Sequence, residues 1–270
     1  PISASEPKTF NQENCRMSMI VDLNSDMGEG FGAWTMGADE ALLGVVTSAN
    51  IACGYHAGDP ETMAEAFRMA KEKGVAIGAH PGYPDLWGFG RRRIPFSNGE
   101  IERLVAYQIG AAVALANYSG HKLTYVKTHG ALSNAASEDA GMARAIARAV
   151  KAVDPSLGLL AVALTELVKA GEDAGLQTWQ EIFADRGYTE EGQLISRAKP
   201  GAMITDADEA ADRVYAMVTE GAIISASGKR LKTPIHSICV HGDSAHAVEA
   251  ASKVRARLTG AGITLRAFAG

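Results

Sequence analysis

The chain is short of cysteine, of long apolar runs and of surplus basic charge, and each shortage removes a class of protein. Its three cysteines, Cys15, Cys53 and Cys239, are too few and too scattered for a disulfide framework or a cysteine zinc site. No apolar run reaches the roughly 20 residues of a membrane span. Acidic residues outnumber basic ones, 31 to 26, and the net charge of −5 argues against a nucleic-acid surface. Residues 1–18 have no apolar core of the signal-peptide kind. They are expected to form a flexible extension, with residues 19–270 as a single domain and the protein in the cytoplasm. Missing motifs narrow the chemistry. Without G-x-x-x-x-G-K-[ST], any ATP chemistry is not of the P-loop kind. Without G-x-S-x-G there is no marked nucleophilic serine. Without H-x-x-x-H, metal ligands would have to come from separate strands. Gly28-Glu29-Gly30-Phe31-Gly32 imitates a dinucleotide fingerprint but lacks the helix and the distant acid that the ribose needs.

What is present is the composition of an ordinary folded domain, 47% apolar and 21% charged. Short apolar strands alternate with helical patterns about seven times. Met19 to Val21, Ala49 to Ala52, Val75 to Ala79, Thr124 to Lys127, Gly158 to Val162, Leu176 to Trp179 and His236 to Val240 read as strands, and Ile263 to Arg266 as a last one. Pro60 opens a helix ended by Gly74, and Ser97 with Glu100 has the spacing of a capping box. Ser137, and Thr205 with Asp208, read as further helix caps, and Ala222 to Lys232 as a hairpin. Such alternation gives a parallel sheet with crossover helices. With this many units, a single-domain α/β fold of the distorted TIM-like (β/α) barrel type is expected; an open doubly wound sheet is the alternative.

In either architecture the site lies at the carboxyl ends of the strands. Polar residues of catalytic type follow the predicted strands directly: Asp22 and Asn24, His56 and Asp59, His80, Lys127 and His129, Asp185 and Arg186, His241 and Asp243. Each histidine alone could be a loop residue bonded to backbone; together they describe a functional rim. Asp22, His56 and His80 could bind a divalent cation; the alternative is an Asp–His hydrogen-bond network without metal. Lys127, at the end of an apolar strand, is expected to meet a carboxylate or phosphate as a compact charge. Of Arg91, Arg92 and Arg93, at least two are expected to be merely solvated. Cys53, between small neighbours, reads as packing.

Six stretches in order, D-L-N-S-D-M-G-E-G (22–30), A-N-I-A-C-G-Y-H-A-G-D (49–59), G-A-H-P-G-Y-P-D (78–85), V-K-T-H-G (126–130), F-A-D-R-G-Y (183–188) and C-V-H-G-D (239–243), strongly resemble the LamB/YcsF family. The likeness covers nearly the whole chain from about Ile20. It implies a TIM-like barrel related to the glycoside hydrolase/deacetylase fold. It also implies ATP-dependent opening of the lactam 5-oxo-L-proline to L-glutamate, with ATP as co-substrate carried with Mg2+ and with 5-oxoprolinase subunits B and C as partners. On that reading Asp22, His56, His80, Lys127 and His129 are catalytic. Asn24, Asp59, Asp185, Arg186, His241 and Asp243 bind substrate. The competing readings are a metal-dependent sugar deacetylase and a non-catalytic substrate-binding subunit. Where the family usually has proline and tyrosine, this chain has Thr128 and Ser133. An acidic rim of Asp22, Asp26, Glu29 and Asp59 would repel a bare triphosphate, so the chain alone is expected not to drive ring opening.

Overall fold

A computed structural model describes residues 19–241 and 247–269. In order, the elements are β1 (Ile20–Met27), α1 (Asp39–Leu43), β2 (Ser48–Ala52), α2 (Pro60–Lys73), β3 (Ala76–His80) and α3 (Asn98–Tyr118). Then come β4 (Leu123–Lys127), α4 (Gly130–Glu138), α5 (Ala140–Val153), β5 (Gly158–Val162), α6 (Glu166–Asp173) and β6 (Thr178–Phe183). The chain continues with α7 (Ala207–Glu220), β7 (Ala222–Ile224), β8 (Arg230–Lys232), β9 (Ser237–Val240), α8 (Ala247–Gly260) and β10 (Thr264–Leu265). Strands β1 to β6 and β9 pair in parallel, and β9 returns to β1, which closes a seven-stranded barrel. β10 adds alongside the start of β1, and β7 and β8 form the expected antiparallel hairpin. The expected extension, residues 1–18, lies outside the described residues, as does Asp243.

Local chemistry explains the boundaries. Asp59 caps α2 and Pro60 occupies its first position, while Gly74 closes it in the left-handed conformation. Ser97 and Glu100 form the capping box of α3. Two expected caps shift: Asp139, not Ser137, caps α5, and Asp206, not Thr205, caps α7. Asp139 accepts from the N–H groups of Gly141 and Met142 and Asp206 from those of Asp208 and Glu209, while Ser137 lies inside α4 and donates its hydroxyl to the Ser133 carbonyl.

The larger difference is β1. The acids do not terminate the strand; they alternate through it. Val21, Leu23 and Met27 point outward into the layer between sheet and helices. Asp22, Asn24 and Asp26 fall on the opposite face, inside the barrel, and all three are buried. Barrel interiors of this class are usually filled by branched aliphatic side chains. Here the interior is apolar only in part. Tyr125, Leu160, Trp179 and Phe268 fill one region, with Phe268 4.9 Å from the Tyr125 ring and 4.6 Å from Trp179. Gly78 makes this possible, since a side chain there would overlap the Tyr125 ring. Tyr125 thereby donates its hydroxyl across the barrel to Asn50 Oδ1 at 2.7 Å.

Asp22 sits near the start of β1, opposite Ser237 of β9. Its oxygens accept from Thr47 Oγ1 and Ser48 Oγ, both at 2.6 Å, and from Ser237 Oγ. Burial nevertheless pushes its carboxyl up to about 6. A carboxyl raised on folding contributes stability below its ordinary value, and that contribution disappears as pH rises through the folded value. Relative to Asp22→Asn, wild-type protein is therefore expected to lose roughly 2 kcal/mol of unfolding free energy between pH 4 and pH 7. Denaturant melts of both proteins across that range read the slope. A pH-independent difference would mean that Asp22 titrates alike in the folded and unfolded chains.

Candidate active site

The site is built on a buried ammonium at the carboxyl end of β4. Lys127 Nζ lies 3.0 Å from Asp26 Oδ1, 3.1 Å from Asn24 Oδ1, 3.1 Å from Glu181 Oε2 and 3.1 Å from Cys239 Sγ. Burial works against the charge, but Asp26, Cys239 and Glu181 together raise Lys127 well above its ordinary value. Burial likewise opposes ionisation of Asp26, but His80 and Lys127 outweigh it and hold that carboxyl well below the usual range. Glu181 goes the other way: burial raises it despite Lys127. Asp26 faces the cleft, while Glu181 lies beneath it, on the buried side of Lys127.

Above Lys127, three histidines meet. His80 ends β3, His129 follows β4, and His56 comes from the loop after β2. His56 and His129 stack at 3.7 Å between ring centroids, nearly parallel. His80 Nε2 is 3.0 Å from His129 Nδ1 and 3.3 Å from Asp26 Oδ2. Glu29 Oε1 approaches His56 Nε2 at 3.7 Å and His129 Nδ1 at 3.6 Å. Burial and the neighbouring rings push His56 well down and His129 down to about 3.

Hydrogen-bond partners fix the tautomers of two of these rings. His129 Nε2 faces the Phe89 carbonyl at 2.8 Å and His80 Nδ1 faces the Lys127 carbonyl at 2.7 Å. A carbonyl only accepts, so both of those nitrogens donate. In the neutral rings two lone pairs would then meet across 3.0 Å. Either a shared proton or a bound cation must lie there. Neither nitrogen of His56 has a hydrogen-bond partner among the described residues, although the ring is buried. Glu29, His56, His80 and His129 each offer one ligand atom within 4.8 Å of the others. An orphaned imidazole beside converging lone pairs and a carboxylate fits a divalent cation of the zinc or manganese type.

The loop 85–93 covers this cluster. Gly90 lies so close to His56 and His129 that a side chain there would meet them at 2.7 and 2.9 Å. Phe89 holds a left-handed backbone, φ 53°, which is costly for a residue with a side chain. That conformation is what directs its carbonyl at His129. Arg92 pairs with Asp85 at the base of the loop, and Arg91 stands 4.9 Å over the Phe89 ring.

A cleft of about 490 Å³ opens in front, walled by Asp26, His80, Lys127 and His129 on one side and by Arg186, Arg197 and His241 among others. Ser133 also lines it, so a larger side chain there would fill part of the cleft. The expected residues divide accordingly. His80, Lys127, His129, Arg186 and His241 reach the cleft; His56 is stacked behind His129, and Asp185 is paired behind His241. Three expectations are corrected. Asp22 and Asn24 are not past the strand but within it. Asp22 is caged by hydroxyls, and Asn24 bridges Ser237 Oγ at 2.7 Å and Glu181 Oε2 at 3.2 Å beneath Lys127. Glu29 and His129, rather than Asp22, complete the possible ligand set with His56 and His80. Asp59 is a helix cap whose oxygens accept from Thr62 Oγ1 and from the N–H groups of Gly32, Glu61 and Thr62, which lowers its carboxyl to about 2. Asp26, Glu181 and Arg197 had no expected role in catalysis or binding. The alternation V-D-L-N-S-D-M was the available signal for Asp26, as a strand with one polar face.

Fold and site together define a class: a closed (β/α) barrel with a buried acid–base centre at the carboxyl ends of its strands. The sequence matches the LamB/YcsF family over residues 21–270, and the chain belongs to that family. It is similar to the A subunit of 5-oxoprolinase from Azorhizobium caulinodans, with 64% identity over 249 residues that cover 92% of this chain and 98% of the relative. It is also similar to the corresponding protein of Gluconobacter oxydans, with 60% identity over 248 residues, 92% and 98% of the two chains. Among solved structures, the lactam utilization protein of Thermus thermophilus superposes with a TM-score of 0.87 at 46% identity, covering 93% of this chain and 100% of that one. No helix among the described residues is long and apolar enough to cross a membrane.

Proposed function

We propose that this chain is the barrel subunit of an ATP-dependent 5-oxoprolinase, which opens 5-oxo-L-proline to L-glutamate together with subunits B and C in the cytoplasm. The observation that carries the reading is the ionised Asp26 on the cleft wall, held by Lys127 and His80, in a chain that aligns nearly end to end with relatives of that name.

The chemistry accounts for ATP. A lactam shares the amide resonance behind the ~18–20 kcal/mol rotation barrier of a peptide, so water attacks it slowly. Transfer of the γ-phosphoryl group of ATP, carried with Mg2+, to the lactam oxygen releases ADP and leaves a strong electrophile. Water adds to that carbon, the ring C–N bond breaks, and the nitrogen takes up a proton. A second water cleaves the resulting acyl phosphate to L-glutamate and phosphate. Asp26 accepts the hydrogen bond, and then the proton, of the attacking water. A carboxylate held at low pKa is a weak base, and activation by phosphorylation is what lets a weak base suffice. Lys127 Nζ at 3.0 Å and Asn50 Nδ2 at 2.8 Å donate to Asp26 Oδ1 and keep that carboxylate oriented. Glu29, His56, His80 and His129 would hold a divalent cation. When bound, it supplies positive charge near the developing oxyanion.

The test follows ADP and L-glutamate together from 5-oxo-L-proline, with and without ATP and with and without subunits B and C. Both products are expected only in the complete mixture. Stoichiometric formation of both by this chain alone would overturn the division of labour, and none in the complete mixture would overturn the reaction. Metal analysis of the purified chain is expected to find about one divalent ion per chain, lost in His56→Ala. Equal metal in the two proteins would remove the histidine cluster as its site.

A further inference from the structure

Lys127 cannot be the anion receptor of the cleft. An ammonium has three protons, and Asn24, Asp26, Cys239 and Glu181 already surround it. A carboxylate-bearing substrate needs another cation. Arg186 is buried and braces its own surroundings, with Nε donating to the Ala202 carbonyl at 3.1 Å and Nη2 to the Ile195 carbonyl at 2.6 Å. Arg197, on the same long loop between β6 and α7, is exposed and lines the cleft.

Its setting has a definite direction. Arg197 Nη2 lies 3.0 Å from His241 Nε2. Arginine only donates, so Nε2 is the acceptor and the imidazole proton is on Nδ1. Nδ1 in turn donates to Asp185, at 2.8 Å to Oδ1 and 2.7 Å to Oδ2. Phe183 stacks on the His241 ring at 5.2 Å between centroids. Asp185, His241 and Arg197 thus form a relay of the kind that orients a catalytic base, but it ends on a guanidinium.

We propose that Arg197 is the carboxylate receptor of the cleft, taking the ring carboxylate of the lactam, and that Asp185 and His241 are its positioning residues. This rests on the lactam reading above. The planar guanidinium matches a carboxylate in bidentate fashion. Burial and then the nearby Arg197 depress Arg186, so an anion between the two relieves a repulsion. Asp26 and Glu138 line the same cleft, and they oppose a phosphate dianion more strongly than a carboxylate monoanion.

The experiment measures the affinity of the full chain for 5-oxo-L-proline and for its neutral carboxamide by calorimetry. Wild type is expected to prefer the acid by about 10- to 100-fold. Arg197→Met should abolish that preference by weakening binding of the acid far more than that of the carboxamide, and Arg197→Lys should keep part of it. In the complete enzyme, Asp185→Asn should raise KM for 5-oxo-L-proline several-fold and leave kcat near wild type. An acid preference that survives Arg197→Met, or its absence in wild type, would overturn the proposal. If the preference behaves as expected but no lactam is hydrolysed, the receptor stands and the reaction assignment falls.

Discussion

Lys127→Ala is expected to cost about 3–5 kcal/mol of stability as well as all measurable turnover, the range seen when one partner of a buried ion pair is removed. The sequence alone pointed to a lysine at a strand end that meets a carboxylate or phosphate as a compact charge. The structure puts its ammonium between Asp26 and Glu181, both buried. Without it, Asp26 and Glu181 would share the barrel interior with no cation between them, and one would have to take a proton or admit water. Urea unfolding measures the loss. Adding Glu181→Gln to Lys127→Met should restore at least ~1 kcal/mol, because it removes one stranded carboxylate. A single variant within about 1 kcal/mol of wild type would show that the ammonium does not hold the two acids together.

Asp26→Asn is expected to separate activity from stability. The amide keeps an oxygen for Asn50 Nδ2 and Lys127 Nζ, now at 2.8 and 3.0 Å. Lys127 keeps Glu181 as a counter-charge. The stability loss should therefore be smaller than for Lys127→Ala. What disappears is the ionised acceptor on the cleft wall, and general-base catalysis is worth about 10²–10⁴-fold. In the complete enzyme, kcat for glutamate release should fall by that factor with KM for 5-oxo-L-proline little changed, because Asp26 is not the group that meets the carboxylate. A variant that retains a tenth or more of wild-type kcat would remove Asp26 from the proton-transfer role.

Much of the barrel was legible in the chain order. Strand and helix patterns alternate with a local period, and caps such as Ser97 with Glu100 act within a single turn, so both can be read residue by residue. The motifs that carry the family likeness are contiguous for the same reason. His80, Lys127 and His129 could be placed because each lies at or just past the end of a short apolar strand.

Tertiary structure decided the rest. β1 looked finished at Val21 because a carboxylate inside a barrel is prohibitive by itself. It continues to Met27 because Lys127, 101 residues beyond Asp26 in the chain, brings the compensating charge. No local pattern reports that a lysine will cross the barrel to meet an acid. The same holds for Glu29 against His56 and His129, and for Arg197 against His241. Their partners arrive from separate loops, and only closure of β9 onto β1 brings all of those loops to one rim. Sequence by itself determined the kind of fold and the residue types at the strand ends. The closed barrel decided which of them pair, which are buried as structural bonds, and which face the cleft, because pairing across a barrel depends on strand order and register rather than on spacing along the chain.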